Sequence, residues 1–356
     1  MRLPAWLGVG ERRWQKSPDE EVQPSKTAWD VLQLLIVPVI LVAIALAFNA
    51  ALASRQEKQE NRRVREDRAL AKEEREDAVL DAYLDKMSSL MLDRGLVRAK
   101  PNSAVREVAR TLTLATVRRL DGSRKGQVVR FLYEGGLLRV RRDADGEWSR
   151  PVINLYRADL RGADLANSAF GQVLPSNYGV ELVGDLRGAS FDHALLGSVL
   201  FSSTDGSRLS DLRGASFRKA SIHGTRFDVD LRGASFERAL LEDDDFNHSD
   251  LRRTEFDGAD ILAVTTFDGT CLSNASFVGA KFNWFFGSPE RGKRTTFDYA
   301  EGRDVDFSNA VNLSAVRLGQ EVTNARFAGA KERPGRSPRQ DVPSHACAHV
   351  ALRLSP

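Results

Sequence analysis

Apolar residues follow three successive patterns along this chain. In residues 31–52, VLQLLIVPVILVAIALAFNAAL, they are nearly continuous, with no charge across 22 positions. A helix rising about 1.5 Å per residue makes such a run about 33 Å long, enough for a hydrocarbon core of about 30 Å. Gln33 and Asn49 fall near its ends, and the internal Pro38 suits a bilayer helix, where freed backbone groups are re-satisfied locally. The pattern predicts one transmembrane helix at 31–52. A cleaved signal peptide would have a basic start, a shorter apolar core and a small-residue cleavage site, whereas about 30 residues of mixed charge precede this run. A buried helix of a soluble domain is the other reading.

The second pattern is helical. Residues 54–77 are almost wholly charged and alternate in sign, as in a solvated helix with pairs at helical spacing. Val79, Tyr83, Met87, Leu90 and Met91 then recur three to four apart and form one apolar face. Gly95 and Pro101 end that helix. Asn102 or Ser103 caps a second, which runs to Leu120 and breaks at Asp121-Gly122; Ser123 caps a third through Tyr133, stopped at Gly135-Gly136. Val105, Val108, Leu112, Leu114 and Val117, with Val128, Val129, Phe131 and Leu132, are spaced to close a small α-helical bundle with the Tyr83 helix.

The third pattern has a period of five. Leu160, Leu165 and Phe170 each follow a small residue by two positions (Ala158, Ala163, Ser168). The series resumes at Leu186, Phe191, Leu196 and Phe201, again at Leu212, Phe217, Ile222 and Phe227, and then runs through Leu231, Phe236, Leu241, Phe246, Leu251, Phe256 and Ile261. After a one-residue slip come Phe267, Leu272, Phe277 and Phe282. Neither a helix nor a flat strand repeats every five residues, but a chain that makes a quarter-turn every five does. The large residue and the small one before it point inward, and the other three point out. No single unit buries its apolar side alone, so coils stacked at about 4.8 Å must supply the core. Asp244 and Val229 depart from the small inward residue, and stretches 171–181, 202–209 and 283–296 break the phase.

This A(D/N)LXX pattern resembles the pentapeptide-repeat family over about 158–331. The resemblance implies a right-handed quadrilateral β-helix. The layout also resembles that of single-span bacterial proteins in which a span and a helical bundle precede such repeats; Ala28-Trp29-Asp30 and the LQLLIVP of residues 32–38 carry that match. The expected fold is therefore mixed: one transmembrane helix, a small α-helical bundle, then a pentapeptide-repeat solenoid. The expected segments are a disordered N-terminus at 1–30, the span at 31–52, a charged stalk and basic bundle at 53–150, the solenoid at 155–331 and a disordered tail at 332–356.

Charge is segmented under a net value of only +3. From 98 to 142 twelve Lys and Arg face Glu107, Asp121 and Glu134. Such a basic bundle can meet anionic lipid, at about 1 kcal/mol per residue. It can also hold phosphates of nucleic acid, a reading disfavoured by the lack of a motif or aromatic interleaving, or be a solvated face. Seven Lys and Arg on the C-terminal flank of the apolar run against four on the other place the C-terminal bulk in the cytoplasm of a single-pass membrane protein. Cys271 and Cys347, the two cysteines, make no disulfide framework and fit a reducing compartment. His345, Cys347 and His349 alternate but lack a fourth ligand, so no metal or other cofactor is expected.

Asp-Leu-Arg occurs five times, at 159, 185, 211, 230 and 250, spaced by 26, 26, 19 and 20 residues. If 171–181 and 202–209 loop out, all five share one face. That predicts a column of Asp159, Asp185, Asp211, Asp230 and Asp250 beside one of Arg161, Arg187, Arg213, Arg232 and Arg252. These residues, with Trp284 in the third break, are the candidate interaction surface. Leu160, Leu165, Phe170, Leu186, Phe191, Leu212, Phe217, Leu231, Phe236, Leu251 and Phe256 are the expected solenoid core.

No nucleophile–base constellation, phosphate-cradling loop or paired carboxylates in a cleft is visible. The expected function is a non-enzymatic membrane-anchored scaffold for a protein partner. The alternative comes from the family resemblance: some soluble relatives mimic duplex DNA and act on type II topoisomerases. That requires a strongly acidic rod, whereas 158–331 holds 25 acidic and 19 basic residues.

Overall fold

The computed structural model describes residues 28–138, 151–166, 180–182, 185–201, 210–262, 264–283, 295–336 and 347. The chain divides into two compact units, Met1–Glu73 and Glu74–Pro356. Helix α1 (Ala28–Leu92) runs through the boundary. Within the first unit, Ile40, Leu41, Val42, Ile44, Leu46 and Phe48 are each more than half exposed. The side chains of 31–39, 45 and 50–52 lie outside the described residues, and among the described ones no helix is long and apolar enough to cross a membrane.

In the second unit the C-terminal part of α1 packs with α2 (Ala104–Val117) and α3 (Gly122–Glu134). Tyr83 is the hub: it is buried, its hydroxyl is 3.0 Å from Thr113 Oγ1, and its ring stands edge-on to Phe131 at 6.2 Å. Burial raises its phenol pKa, and the Thr113 bond only partly offsets that. The start of α3 differs from expectation. Asp121 is not a breaker but the N-cap, accepting a hydrogen bond from Arg124 N at 2.9 Å, and Gly122 opens the helix in place of a Ser123 cap. A carboxylate there satisfies an orphan N–H and meets the positive end of the helix dipole.

The chain then winds into a right-handed-type β-solenoid of about 6 turns. All its ladders are parallel. Four faces repeat, numbered here in chain order from Leu160. Face 1 turns Leu160, Phe191, Phe217, Phe236, Phe256, Phe277 and Phe307 inward, and face 3 Phe201, Phe227, Phe246, Phe267 and Phe297. Faces 2 and 4 contribute aliphatic columns: Leu165, Leu196, Ile222, Leu241 and Ile261, and Leu186, Leu212, Leu231, Leu251 and Leu272. Successive rings within each Phe column stack at 4.5–5.0 Å. Rings of opposite columns meet edge-on at 5.4–6.1 Å. Both are favourable arrangements of ring quadrupoles. The expected core residues are all buried, except Phe170, which lies outside the described residues.

Two of the phase breaks are shorter than expected. Val180 and Glu181 belong to a strand paired with Val199 and Leu200, Asn283 closes a strand, and Thr295–Phe297 opens the next. Residues 171–179, 202–209 and 284–294, Trp284 among them, lie outside the described residues. The ladder also extends past 331, where Gly335–Arg336 pairs with Arg317 and Leu318. Against the expectation of two reduced thiols, Cys271 and Cys347 form a disulfide.

Candidate interaction surface on the fourth face

On each face the outward residue just before the large core residue is bridged to its counterpart in the next coil, so polar residues form columns as core residues do. On face 4, Asp185, Asp211, Asp230 and Asp250 are linked in turn. The local geometry of each Asp-Leu-Arg is the same. The Asp Oδ1 accepts from the backbone N–H two residues on, at 3.3, 3.2, 3.2 and 3.2 Å for Arg187, Arg213, Arg232 and Arg252. It also accepts from that arginine's Nε at 2.8–2.9 Å, while Nη2 bonds Oδ2. This is the bidentate fork that suits guanidinium to carboxylate. Each Nε also lies 3.5–3.6 Å from the carboxylate of the next coil: Arg187 to Asp211, Arg213 to Asp230, Arg232 to Asp250. Pairs within coils are thus threaded into one network along the solenoid.

The first Asp-Leu-Arg does not join them. Asp159 bridges Ser190 on face 1, one side of the square away, so Asp159 and Arg161 pair outside the column, with bonds of 2.8 and 2.6 Å. The expected five-member column has four members. The coil from Asp159 to Ser190 holds 31 residues, so the 26 residues from Asp159 to Asp185 stop one five-residue unit short of a whole coil. In the fourth-face column Asn154 stands where Asp159 was expected, its amide 3.5 Å from Asp185, and Tyr156 underlies the Arg187 guanidinium at 5.3 Å.

Burial separates the two signs. Along the column the carboxylates are 27%, 27%, 3% and 0% exposed and the arginines 44%, 42%, 37% and 39%. The acids lie beneath, and the guanidinium groups form the outer layer. The bond to Asp211, Asp230 or Asp250 raises the pKa of its arginine against the opposing effect of burial. At Asp185 burial pushes the pKa up, but the Arg187 bonds win and hold it below the usual range. Asp159 is drawn down to about 2, chiefly by Arg161.

The basic bundle is partly spent on internal contacts. Arg124 bonds Asp77 at 2.7 Å and also pairs with Glu76 and Asp121. Arg110 donates to the carbonyls of Asn154 and Tyr156 at 3.1 Å each. Buried Lys125 donates to Arg161 O at 2.8 Å and lies 3.6 Å from Asp159, and burial lowers its pKa. These contacts dock α3 on the first coil. Gly122 and Gly126 make the approach possible: a Cβ at either would fall 1.9 Å from Gly162 O or 2.1 Å from Asp164 O. Sequence reading missed this, although Gly122-Ser-Arg-Lys-Gly126 carries a recognisable signal, two glycines one turn apart on a helix face.

Among the described residues no group of three or more His, Cys, Asp or Glu side chains could hold a metal; His345 and His349 lie outside them. A hollow between bundle and first coils is lined by Leu138, Ile153, Leu155, Leu182 and Leu186, with Asp185 as its one charged group.

Residues 227–261 match the family model for pentapeptide repeats (8 copies). No curated protein sequence matches the chain. Among solved structures, a trypsin-treated form of QnrB1, a plasmid-mediated fluoroquinolone resistance protein, is 20% identical over 49% of this chain and 77% of its own, with a TM-score of 0.26. HetL, involved in heterocyst differentiation regulation in the cyanobacterium Nostoc sp. strain PCC 7120, is 18% identical over 51% of this chain and 88% of its own, with a TM-score of 0.20. A pentapeptide repeat protein from the Arabidopsis thaliana thylakoid lumen is 22% identical over 38% of this chain and 74% of its own, with a TM-score of 0.19.

Proposed function

We propose that this chain is a non-enzymatic, membrane-anchored scaffold that presents the fourth face of its pentapeptide-repeat solenoid to a protein partner. The observation that carries the reading is the four-coil Asp/Arg network, which holds guanidinium groups at fixed spacing on a rigid surface. Arginines already oriented by carboxylates lose little side-chain freedom on contact, and arginine is enriched where interfaces carry binding energy. Anchoring is supported by the uncharged run at 31–52 and by the exposed Ile40, Leu41, Val42, Ile44, Leu46 and Phe48, whose surface needs an apolar surrounding. Exposed Arg98, Lys100, Arg118 and Arg119 are the bundle residues suited to anionic lipid. On the side of the membrane two features pull apart: the Lys/Arg bias favours the cytoplasm for the C-terminal bulk, and the disulfide favours an oxidising compartment.

The alternative, a duplex-DNA mimic acting on a type II topoisomerase, needs exposed acids. Here Asp230 and Asp250 are 3% and 0% exposed beneath their arginines, which ranks it second. Proximity labelling with the full-length protein in its native membrane tests the scaffold. Replacing Arg213 and Arg232 by Gln should remove a defined set of labelled neighbours while the protein still resists carbonate extraction. An unchanged set would sink the face as the docking surface, extraction by carbonate would sink the anchor, and inhibition of supercoiling by the full chain would reverse the ranking.

A further inference from the structure

Cys271 occupies the fourth-face position that Asp185, Asp211, Asp230 and Asp250 hold in the preceding coils. Asp250 bridges Cys271, and Cys271 bridges Glu301 in the coil after it. Its sulfur is bonded to Cys347, 76 residues on, with the Cα atoms 4.9 Å apart. The two halves are unequally placed. Cys271 is 1% exposed, whereas Cys347 is half-buried. Cys347 N donates to Glu301 Oε2 at 3.1 Å, and the other oxygen, Oε1, is buried with no hydrogen-bond partner.

Thiol–disulfide exchange begins with a thiolate attacking one sulfur, and the other sulfur departs as a thiolate. Access favours attack on Cys347 Sγ. The departing Cys271 sulfur then lies in a column between two carboxylates, Asp250 and Glu301, and the neighbouring Arg252 is already forked onto Asp250. Negative surroundings and burial disfavour a thiolate there, so Cys271, once protonated, is a poor nucleophile that does not take the added group over from Cys347.

We propose that Cys271–Cys347 is a one-sided redox modification site, at which a small thiol of the glutathione class adds to Cys347 alone. In the first step the thiolate forms an S–S bond to Cys347, the Cys271–Cys347 bond breaks, and Cys271 takes up a proton. A second thiolate attacks the added group's sulfur, so that two small thiols leave as one disulfide and the protein gains two electrons and two thiols. Oxidised, the site ties residue 347 to the fourth face at Cys271 and holds its N–H on Glu301.

The test uses the full-length protein, quenched with N-ethylmaleimide at lysis and mapped by mass spectrometry. Neither cysteine should carry the adduct, and native incubation with glutathione should modify Cys347 at least about tenfold more than Cys271. Adducts on both cysteines at lysis, or glutathione on Cys271 to an equal extent, would overturn the proposal. In Cys347→Ser the remaining Cys271 should react with maleimide at least about tenfold more slowly in the folded protein than in denaturant. Equal rates folded and unfolded would show that Cys271 is not shielded, and would overturn the proposal as well.

Discussion

In mid-solenoid, Phe236 stacks on Phe217 and Phe256 at 4.6 and 4.9 Å and meets Phe227 and Phe246 edge-on at 5.6 and 5.4 Å. Four rings of its own and the adjacent coils surround it, and the same surroundings recur one coil up and one coil down. The first coil is held otherwise. Its neighbour is helix α3, which reaches it through two glycines, a lysine bonded to a backbone carbonyl and an ion pair to Asp159. A middle coil is stabilised by apolar surface that any like coil supplies. An end coil needs a partner of different shape, as terminal units of stacked repeats do. Repetition therefore writes the middle, while single residues write the end.

The sharpest way to break this contrast is Phe236→Ala. Removing one ring from a packed column should cost about 3–5 kcal/mol in urea unfolding of the full chain. A loss below about 1 kcal/mol would mean that neighbouring coils close over the gap and that the column is looser than its spacing implies.

At the end, Gly126→Ala would place a methyl group 2.1 Å from Asp164 O, so helix or coil must shift. The expected cost is about 1–3 kcal/mol. Hydrogen-exchange protection should fall at 160–166 while that of the Phe236 coil is kept. An equal fall at both would show that end and middle unfold as one unit, and the comparison would fail.

The smallest effect concerns a middle residue that breaks the middle's own rule. Asp244 points inward on face 3, buried, accepting from Thr225 N at 2.8 Å and Glu242 N at 2.9 Å, between Thr225 and Thr265 in the adjacent coils. Burial raises its pKa well above 3.8, and the two N–H bonds do not compensate. Its folded-state proton affinity exceeds the unfolded one, so wild-type stability declines as pH rises above 3.8. Asp244→Thr keeps an acceptor without the charge and should gain about 1–2 kcal/mol at neutral pH. The gain should shrink toward acid pH in parallel thermal melts; a gain independent of pH would show that the carboxyl is not the cause.

The parts of the fold that repeat were legible because core volume repeats with them. A large residue every five positions names Phe191, Phe217 and Phe236 as inward without knowledge of any contact. The face each unit occupies was less legible, because it depends on how many residues leave the square between units. Asp159 fell one side away for that reason, while Asp185 to Asp250, separated by near-whole coils or a single insertion, fell in line. Contacts made by absence were not legible: Gly122 and Gly126 act through the Cβ atoms they lack, and Asp121-Gly122 has the sequence of a break although Asp121 is a cap. The Cys271–Cys347 bond joins residues whose proximity follows only from the winding of everything between them.

The stacking of Phe267 on Phe297 has a use beyond stability. Thr266 and Thr296 are bridged across 30 residues, where Asp245 and Thr266 are bridged across 21, yet the rings of the longer coil meet at 4.6 Å. Loop closure costs rise only slowly with length, about 0.6 kcal/mol per doubling. A foreign epitope or reporter peptide could therefore be spliced between Asn283 and Thr295 without changing the register that the coils on either side set.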